Sequence, residues 1–299
     1  MTNKFKSGFA AIIGRPNVGK STLLNQVMGQ KIAIMSDKPQ TTRNKIRSVL
    51  TREEAQVVFI DTPGIHKPQH KLGELMVEAA RSAFQEVDVV LFVVEATSPP
   101  GAGDRFIMEK LKGIKTPVFL VINKVDLVAK EALLPLIAQF QEELEFAEVI
   151  PVSAATGENV DRLLDVLVEK LPEGPKYYPD DMVTDQPERF VMAELIREKA
   201  LHHTREEIPH AIAVEVEEVK ERANDTVFVK ATIYVERESQ KGIIVGKGGA
   251  MLKTIGQLAR QDIENLLGSK VFLDLWVKVK KDWRNREFFL RNFGFREEE

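Results

Sequence analysis

Short, continuous apolar runs recur through the first half of the chain. Phe9–Gly14 ends on a glycine, Val57–Ile60 lies inside AQVVFIDTPG, and Val87–Ala96 and Pro117–Lys124 are longer. Runs without alternation predict strands buried on both faces of a parallel sheet. Glu148–Ala154 is a weaker strand of the same kind. Between the runs lie segments with apolar residues at helical spacing, from Lys20 onward and over Asn159–Leu171. This alternation predicts an α/β fold, a mainly parallel sheet wrapped by helices. IRSVLTREEAQVVFI is the exception, since two runs across a short charged turn predict an antiparallel edge hairpin.

Leu171–Pro187 breaks the pattern with four prolines, a glycine and several acids, and reads as a linker. A helix is expected from about Glu188 to His203, followed by two alternating strands, AIAVEVEEV and TVFVKATIYVE. A short helix, a glycine cluster, a second helix over Met251–Leu267 and a closing strand over Val271–Lys281 complete the order α-β-β-α-α-β. The expected division is 1–172 for the α/β domain, 173–187 for the linker, 188–283 for a small α+β domain and 284–299 for a basic, aromatic segment with an acidic tail. Repeats and low-complexity tracts are not seen.

Composition changes this picture little. A chain of 299 residues with 43% hydrophobic and 29% charged residues suits two ordinary globular domains. No apolar run approaches the roughly 18 residues that span a bilayer, and a cytoplasmic place is expected. The absence of cysteine excludes disulfides, thiolate metal sites and cysteine nucleophiles. Charge adds more. The net −3 conceals twelve Lys/Arg against five Asp/Glu between Lys241 and Arg296. A basic block on an otherwise acidic chain points to a local anionic partner.

The chemistry concentrates in a few loops. Gly14, Gly19, Lys20 and Ser21 satisfy G-x-x-x-x-G-K-[ST] between a strand and a helix. There, backbone N–H groups curl around phosphates at a helix N-terminus, Lys20 neutralises β- and γ-phosphate charge, and Ser21 ligates Mg2+. DTPG places Asp61 where a Mg2+-side carboxylate belongs and Gly64 where an N–H can meet the γ-phosphate. In NKVD, the Asp126 carboxylate can accept from both N1–H and N2–H of guanine, a donor pair that adenine lacks. In SAA, Ser153, Ala154 and Ala155 can add a backbone N–H to guanine O6.

In this order the loops resemble those of the translation-factor-type small GTPases, over roughly the first 170 residues. The resemblance implies GTP and GDP as ligands and Mg2+ as cofactor. The implied nucleotide-binding set is Gly14, Arg15, Pro16, Asn17, Val18, Gly19, Lys20, Ser21, Thr22, Asp61, Thr62, Pro63, Gly64, Asn123, Lys124, Asp126, Ser153, Ala154 and Ala155. KPQTTRNKI resembles a switch I segment, in which Thr42, or alternatively Thr41, would ligate Mg2+ only while the γ-phosphate is present. Ser21, Thr42 and Asp61 are then the metal ligands, and Lys20, Thr42 and Gly64 the catalytic group. One position departs from the pattern: Ile65 stands where many GTPases carry a water-orienting glutamine, and slow intrinsic hydrolysis is expected from it. Asn17 occupies the place of the K+-coordinating asparagine in potassium-stimulated GTPases.

The second glycine-lysine loop, GIIVGKGGAML, fails the triphosphate pattern in spacing and has Gly248 where Ser or Thr should ligate Mg2+. It fits G-x-x-G instead, Gly246 to Gly249, lying between two helices. In the KH fold such a loop clamps the backbone of four single-stranded nucleotides beside an apolar groove. Ile243, Ile244 and Val245 before the loop and Ala250, Met251 and Leu252 after it are the expected groove residues, Lys247 and Lys253 supply charge, and Gly248 belongs to the clamp. Downstream, Trp276, Trp283, Phe288, Phe289 and Phe293 interleave with Lys and Arg, some for the core and others available to stack on bases.

A GTPase joined to a C-terminal type II KH domain resembles the Era family over almost the whole chain, through GRPNVGKST, QTTR, DTPGIHKP, NKVD and GKGG. The resemblance implies binding to the 3′ region of 16S ribosomal RNA and a part in rRNA processing and assembly of the small (30S) ribosomal subunit. It also implies a monomer and occasional peripheral contact with the inner face of the membrane, for which no anchor is visible. Two other readings use the same residues: a constitutive RNA-binding protein whose GTPase domain is mainly structural, and a metabolic nucleotide hydrolase with a solubilising basic surface.

Overall fold

The computed structural model describes residues 5–35, 43, 46–63, 70–82, 87–204, 208–222, 225–293 and 295. The chain packs as two compact units. Among the described residues, the first carries a six-stranded sheet and the second a three-stranded one.

The first sheet comprises β1 (Lys6–Ile13), β2 (Ile46–Thr51), β3 (Ala55–Asp61), β4 (Val89–Glu95), β5 (Val118–Asn123) and β6 (Glu148–Pro151). Their spatial order is β2-β3-β1-β4-β5-β6. All neighbours are parallel except β2 and β3, the expected antiparallel edge hairpin. Helices α1 (Lys20–Met28), α2 (Lys71–Ser82), α3 (Ala102–Leu111), α4 (Leu133–Gln141) and α5 (Val160–Lys170) connect the strands. Alternate side chains of each strand enter opposite cores. Ala10 and Ile12 join Leu23, Leu163 and Leu167, whereas Ala11 and Ile13 join Phe92, Ile107 and Phe140. Burial on both faces is why these strands read as unbroken apolar runs.

Strand β6 stops at Pro151, three residues short of the expected run, because Ser153 turns back on itself. Its N–H donates to Glu158 O at 3.0 Å, and its carbonyl accepts from Gly157 N–H at 2.8 Å.

The proline-rich segment after Leu171 lies against the first unit. Pro172 O accepts from Ser7 N–H at 3.1 Å, and Pro175 O accepts from the Ser7 hydroxyl at 2.6 Å. Buried Gln56 accepts from the backbone of Tyr177 and Tyr178 and donates to Tyr178 O. Val183 O accepts from Val49 N–H at 2.9 Å. Proline lacks an N–H but keeps its carbonyl, so such a segment can still satisfy exposed donors beside a sheet.

The second unit contains α6 (Glu188–His202), α7 (Ile208–Ala211), β7 (Ala213–Arg222), β8 (Thr226–Val235), α8 (Glu238–Val245), α9 (Ala250–Leu267), β9 (Lys270–Val279) and α10 (Glu287–Asn292). β7 and β8 are antiparallel with a bulge between Val216 and Glu218; β8 and β9 are parallel. A parallel pair needs a crossover. Here α8, the glycine loop and α9 provide it, the arrangement expected of a type II KH domain. α9 buries Ile255, Ala259 and Ile263 completely at helical spacing, against Ile196, Ile233 and Ile244. Lys199 on α6 ties down Asp262 on α9 at 2.6 Å.

Candidate nucleotide site and nucleic-acid groove

The carboxyl ends of the strands in an open α/β sheet are where ligands bind, and the first glycine loop leaves β1 at such an end. Two of its glycines are dictated by contact. A Cβ on Gly14 would lie 2.3 Å from Val93 O, and one on Gly19 would lie 2.2 Å from Asn123 Nδ2. Lys20, at the start of α1, is 6% exposed and folds back to donate to Gly14 O at 3.2 Å and Arg15 O at 2.8 Å. Burial lowers its pKa to about 8, with the Asp61 carboxylate opposing the shift. An incoming phosphate would add a second anion and favour the charged form.

The Ser21 hydroxyl donates to Asp61 Oδ2 at 3.3 Å. Both are hard oxygen donors, and adjacent ligands of an octahedral Mg2+ stand about 3 Å apart given Mg–O distances near 2.1 Å. The pair therefore fits neighbouring positions around a Mg2+ that these residues would help to hold. Thr62 is buried and spends its hydroxyl on Ile12 O at 2.9 Å, so it pins the end of β3. Thr41, Thr42, Gly64 and Ile65 lie outside the described residues.

The base-side loops are joined to the phosphate loop through protein atoms. Asn123 donates to Val18 O and accepts from Ala154 N–H, each at 2.9 Å. Its side chain thus ties two loops together, a positioning task that its place in NKVD did not reveal. Lys124 adopts φ +66° and extends its ammonium to Asn17 O at 2.9 Å and the Glu95 carboxylate at 2.6 Å. Asp126, on the turn Val125–Leu127, is exposed, as is Ala155; Ser153 and Ala154 are buried. Asn17 is exposed at φ +68°.

Two acids missed by the sequence reading complete this end. Asp104 on α3 takes Arg15 Nε at 2.7 Å and Gly101 N–H at 2.9 Å. Glu95, the last residue of β4, lies 3.5 Å from the Arg15 guanidinium. Burial raises the Glu95 pKa, but Lys124 and Arg15 outweigh it and hold the carboxyl below its usual range. The available signal was position, since Glu95 ends a strand at the ligand-binding edge of the sheet.

The second glycine loop turns between α8 and α9. Gly246 has φ +71°, and a Cβ there would meet Met251 Cβ at 2.7 Å and its backbone N at 2.9 Å. Gly248 and Gly249, at φ +60° and +81°, face open space. Lys247 and Lys253 are exposed, and Ile243 is half exposed. Ile244 is completely buried, one helical step inward, so it supports the loop from the core and does not line the groove as expected. A groove of about 500 Å³ starts at Gly249 and runs between α9 and β9. Leu252, Leu273 and Leu275 give it apolar surface, and Lys253, Gln257 and Arg260 add polar groups. Gly256 presents no side chain there, keeping space in front of Leu275.

A phosphate loop followed by an NKVD turn, with a second glycine loop beside a groove of its own, defines a GTPase joined to a KH domain. The profile of the 50S ribosome-binding GTPase family matches residues 9–124, and that of the KH domain matches residues 207–284. The chain is 44% identical to Era in the crystal structure of its complex with MgGDPNP and nucleotides 1506–1542 of 16S ribosomal RNA. That match has a TM-score of 0.95 and covers 97% of this chain and 99% of that one. A variant Era from Aquifex aeolicus bound to GDP and AlF4− matches at 44% identity, TM-score 0.94, over the same shares. The chain belongs to the Era family.

Proposed function

We propose that this chain is a GTP-hydrolysing switch that binds the 3′ region of 16S ribosomal RNA and acts in rRNA processing and assembly of the small ribosomal subunit. The observation that carries this reading is the presence of both sites on one chain. In support of it, Lys20 and the hydrogen-bonded Ser21–Asp61 pair stand at the phosphate-loop pattern and Asp126 is exposed, while the GKGG loop opens onto its own groove. A relative of nearly the same length and 44% identity holds both MgGDPNP and 16S nucleotides.

In this reading Lys20 and the loop N–H groups neutralise the phosphates, and Asp126 selects guanine. Asn123 and Lys124 keep the two loops in register, and Ser21, Asp61 and Thr42 hold the metal. Mg2+ supplies charge neutralisation at the β- and γ-phosphates. Thr42 and Gly64 sense the γ-phosphate, and hydrolysis is slow because Ile65 cannot orient water. Asn17 would admit K+ as a second cofactor; equal turnover in K+ and Na+ buffers would remove that part. The nucleotide unit is assigned to 1–172 and the RNA unit to 188–283, in a cytoplasmic monomer with transient contact at the inner membrane face. No helix among the described residues is long and apolar enough to cross a membrane. Crosslinking in cells followed by sequencing of the bound RNA tests the reading: reads should accumulate at the 3′ end of 16S RNA, and their absence there would overturn it.

A further inference from the structure

One face of the three-stranded sheet is packed and part of the other is bare. Alternation along β8 and β9 sends Val229, Ala231, Ile233, Val271 and Val277 into the core. Phe228, Phe272 and Trp276 stand on the opposite face, with Phe228 directly opposite Phe272 in register. The solvated face of such a sheet is ordinarily polar, yet Phe272 and Trp276 are each 54% exposed. Four residues apart on one side of the strand, they stand about 13 Å from each other. Phe228 stacks on Phe272 with centroids 5.9 Å apart and planes at 19°. The Arg222 guanidinium lies 4.1 Å over Phe228 and 5.5 Å over Phe272. The other end of the face is covered by α10, which sets Phe293 against Tyr234 at 4.9 Å and Phe289 under Lys280 at 5.3 Å.

Charge and continuity identify the occupant. The acids on this face are engaged: Glu215 accepts from the Tyr234 hydroxyl, Glu217 pairs with Lys230 and Lys278, Glu218 pairs with Lys220, and Asp274 stands opposite Lys230. Arg222 and Lys270 add further positive charge. Phe272 also lines the groove beside the GKGG loop. A strand that leaves the groove across the edge of β9 therefore meets Phe272 and then Trp276. We propose that this sheet face is a second single-stranded RNA surface, stacking the bases of nucleotides that run on from the groove. The proposal rests on the RNA-binding reading of that groove.

The test compares two RNA oligomers from the 3′ end of the 16S fragment, one of about four nucleotides, enough to fill a KH groove, and one of about ten. Trp276 is exposed, whereas Trp283 is fully buried and donates its indole N–H to Ala211 O at 2.8 Å. Quenching of indole emission therefore reports Trp276, while retained Trp283 emission checks the fold of variants. The longer oligomer is expected to quench Trp276 and to bind at least about fivefold more weakly to Phe272→Ala and to Trp276→Ala, the loss of one stacked base. Trp276→Phe should restore most of that loss. The short oligomer should not respond to Trp276→Ala, whose side chain lies outside the groove lining, whereas Phe272 also lines the groove, so Phe272→Ala is expected to weaken both oligomers. Unchanged affinity for the longer oligomer, or absence of quenching, would overturn the proposal and leave the face to a protein partner. If Gly248→Asp leaves the short oligomer bound as tightly as before, the groove reading itself fails.

Discussion

Gly248→Asp separates the RNA clamp from the fold that carries it. Position 248 has φ +60° and ψ +23°, with nothing within 4 Å of where a Cβ would sit. Aspartate enters the left-handed region more readily than most residues, so the substitution should cost about 1 kcal/mol or less, no more than roughly 4–8 °C of melting temperature in a unit of this size. Its carboxylate would stand in the clamp. A carboxylate about 5 Å from a phosphate is repelled by roughly 3 kcal/mol at an effective dielectric constant of 20 and by under 1 kcal/mol in bulk water. RNA affinity should therefore fall about ten- to hundredfold. Gly246→Ala is the contrasting variant, because its Cβ would lie 2.9 Å from the Met251 backbone N at φ +71°. Strain of that kind costs about 1–3 kcal/mol before the clash is counted, so stability and binding should fall together. Fluorescence anisotropy with the 16S fragment, paired with thermal melts and nucleotide binding, gives the comparison. Unchanged RNA affinity in a folded Gly248→Asp protein would refute the assignment of this loop.

Two further predictions concern the nucleotide site. Because burial lowers the Lys20 pKa to about 8 from a model-compound value of 10.5, its charge costs stability below about pH 8. That cost is relieved as pH rises from about 8 to 10.5, since the unfolded chain then holds more protons. Phosphate binding needs the charged form, so GDP affinity should instead fall about tenfold between pH 7 and 9; titration calorimetry that finds this dependence unchanged in Lys20→Gln would reject Lys20 as its source. Asp126→Asn removes the acceptor for both guanine N–H groups, and affinity for GDP should drop by more than about a hundredfold. Competition between GDP and XDP measures it, with XDP gaining because its C2 carbonyl can accept from the new amide.

The paths of the buried strands were legible because burial on both faces leaves no alternation to misread. The glycine loops were legible for a related reason: at Gly14, Gly19 and Gly246 any Cβ collides with a neighbour, so composition carries the geometry directly. Hydrogen-bond partners were not legible. Asn123 stood in the expected nucleotide-binding set with no partner assigned; its amide joins Val18 to Ala154, residues it meets only after β1, β5 and β6 assemble. Glu95 and Asp104 are ordinary surface acids until Arg15 is placed between them. The proline-rich stretch looked unattached because proline signals breaks in repeating structure, while the acceptors it offers, Pro172 O and Pro175 O, are invisible in composition. Ile243 and Ile244 differ by one helical step, and the sequence alone did not say which of them faces inward.

If nucleotide state controls RNA binding in the proposed switch, linkage requires that each ligand alter the other's affinity by the same factor. The most direct measurement is the affinity for the 16S 3′ fragment with saturating GDP and with a non-hydrolysable GTP analogue in Mg2+ buffer. Binding is expected to be tighter with the GTP analogue, by about five- to hundredfold, with a matching gain in analogue affinity when RNA is bound. Equal RNA affinity in the two states would contradict the proposed switch.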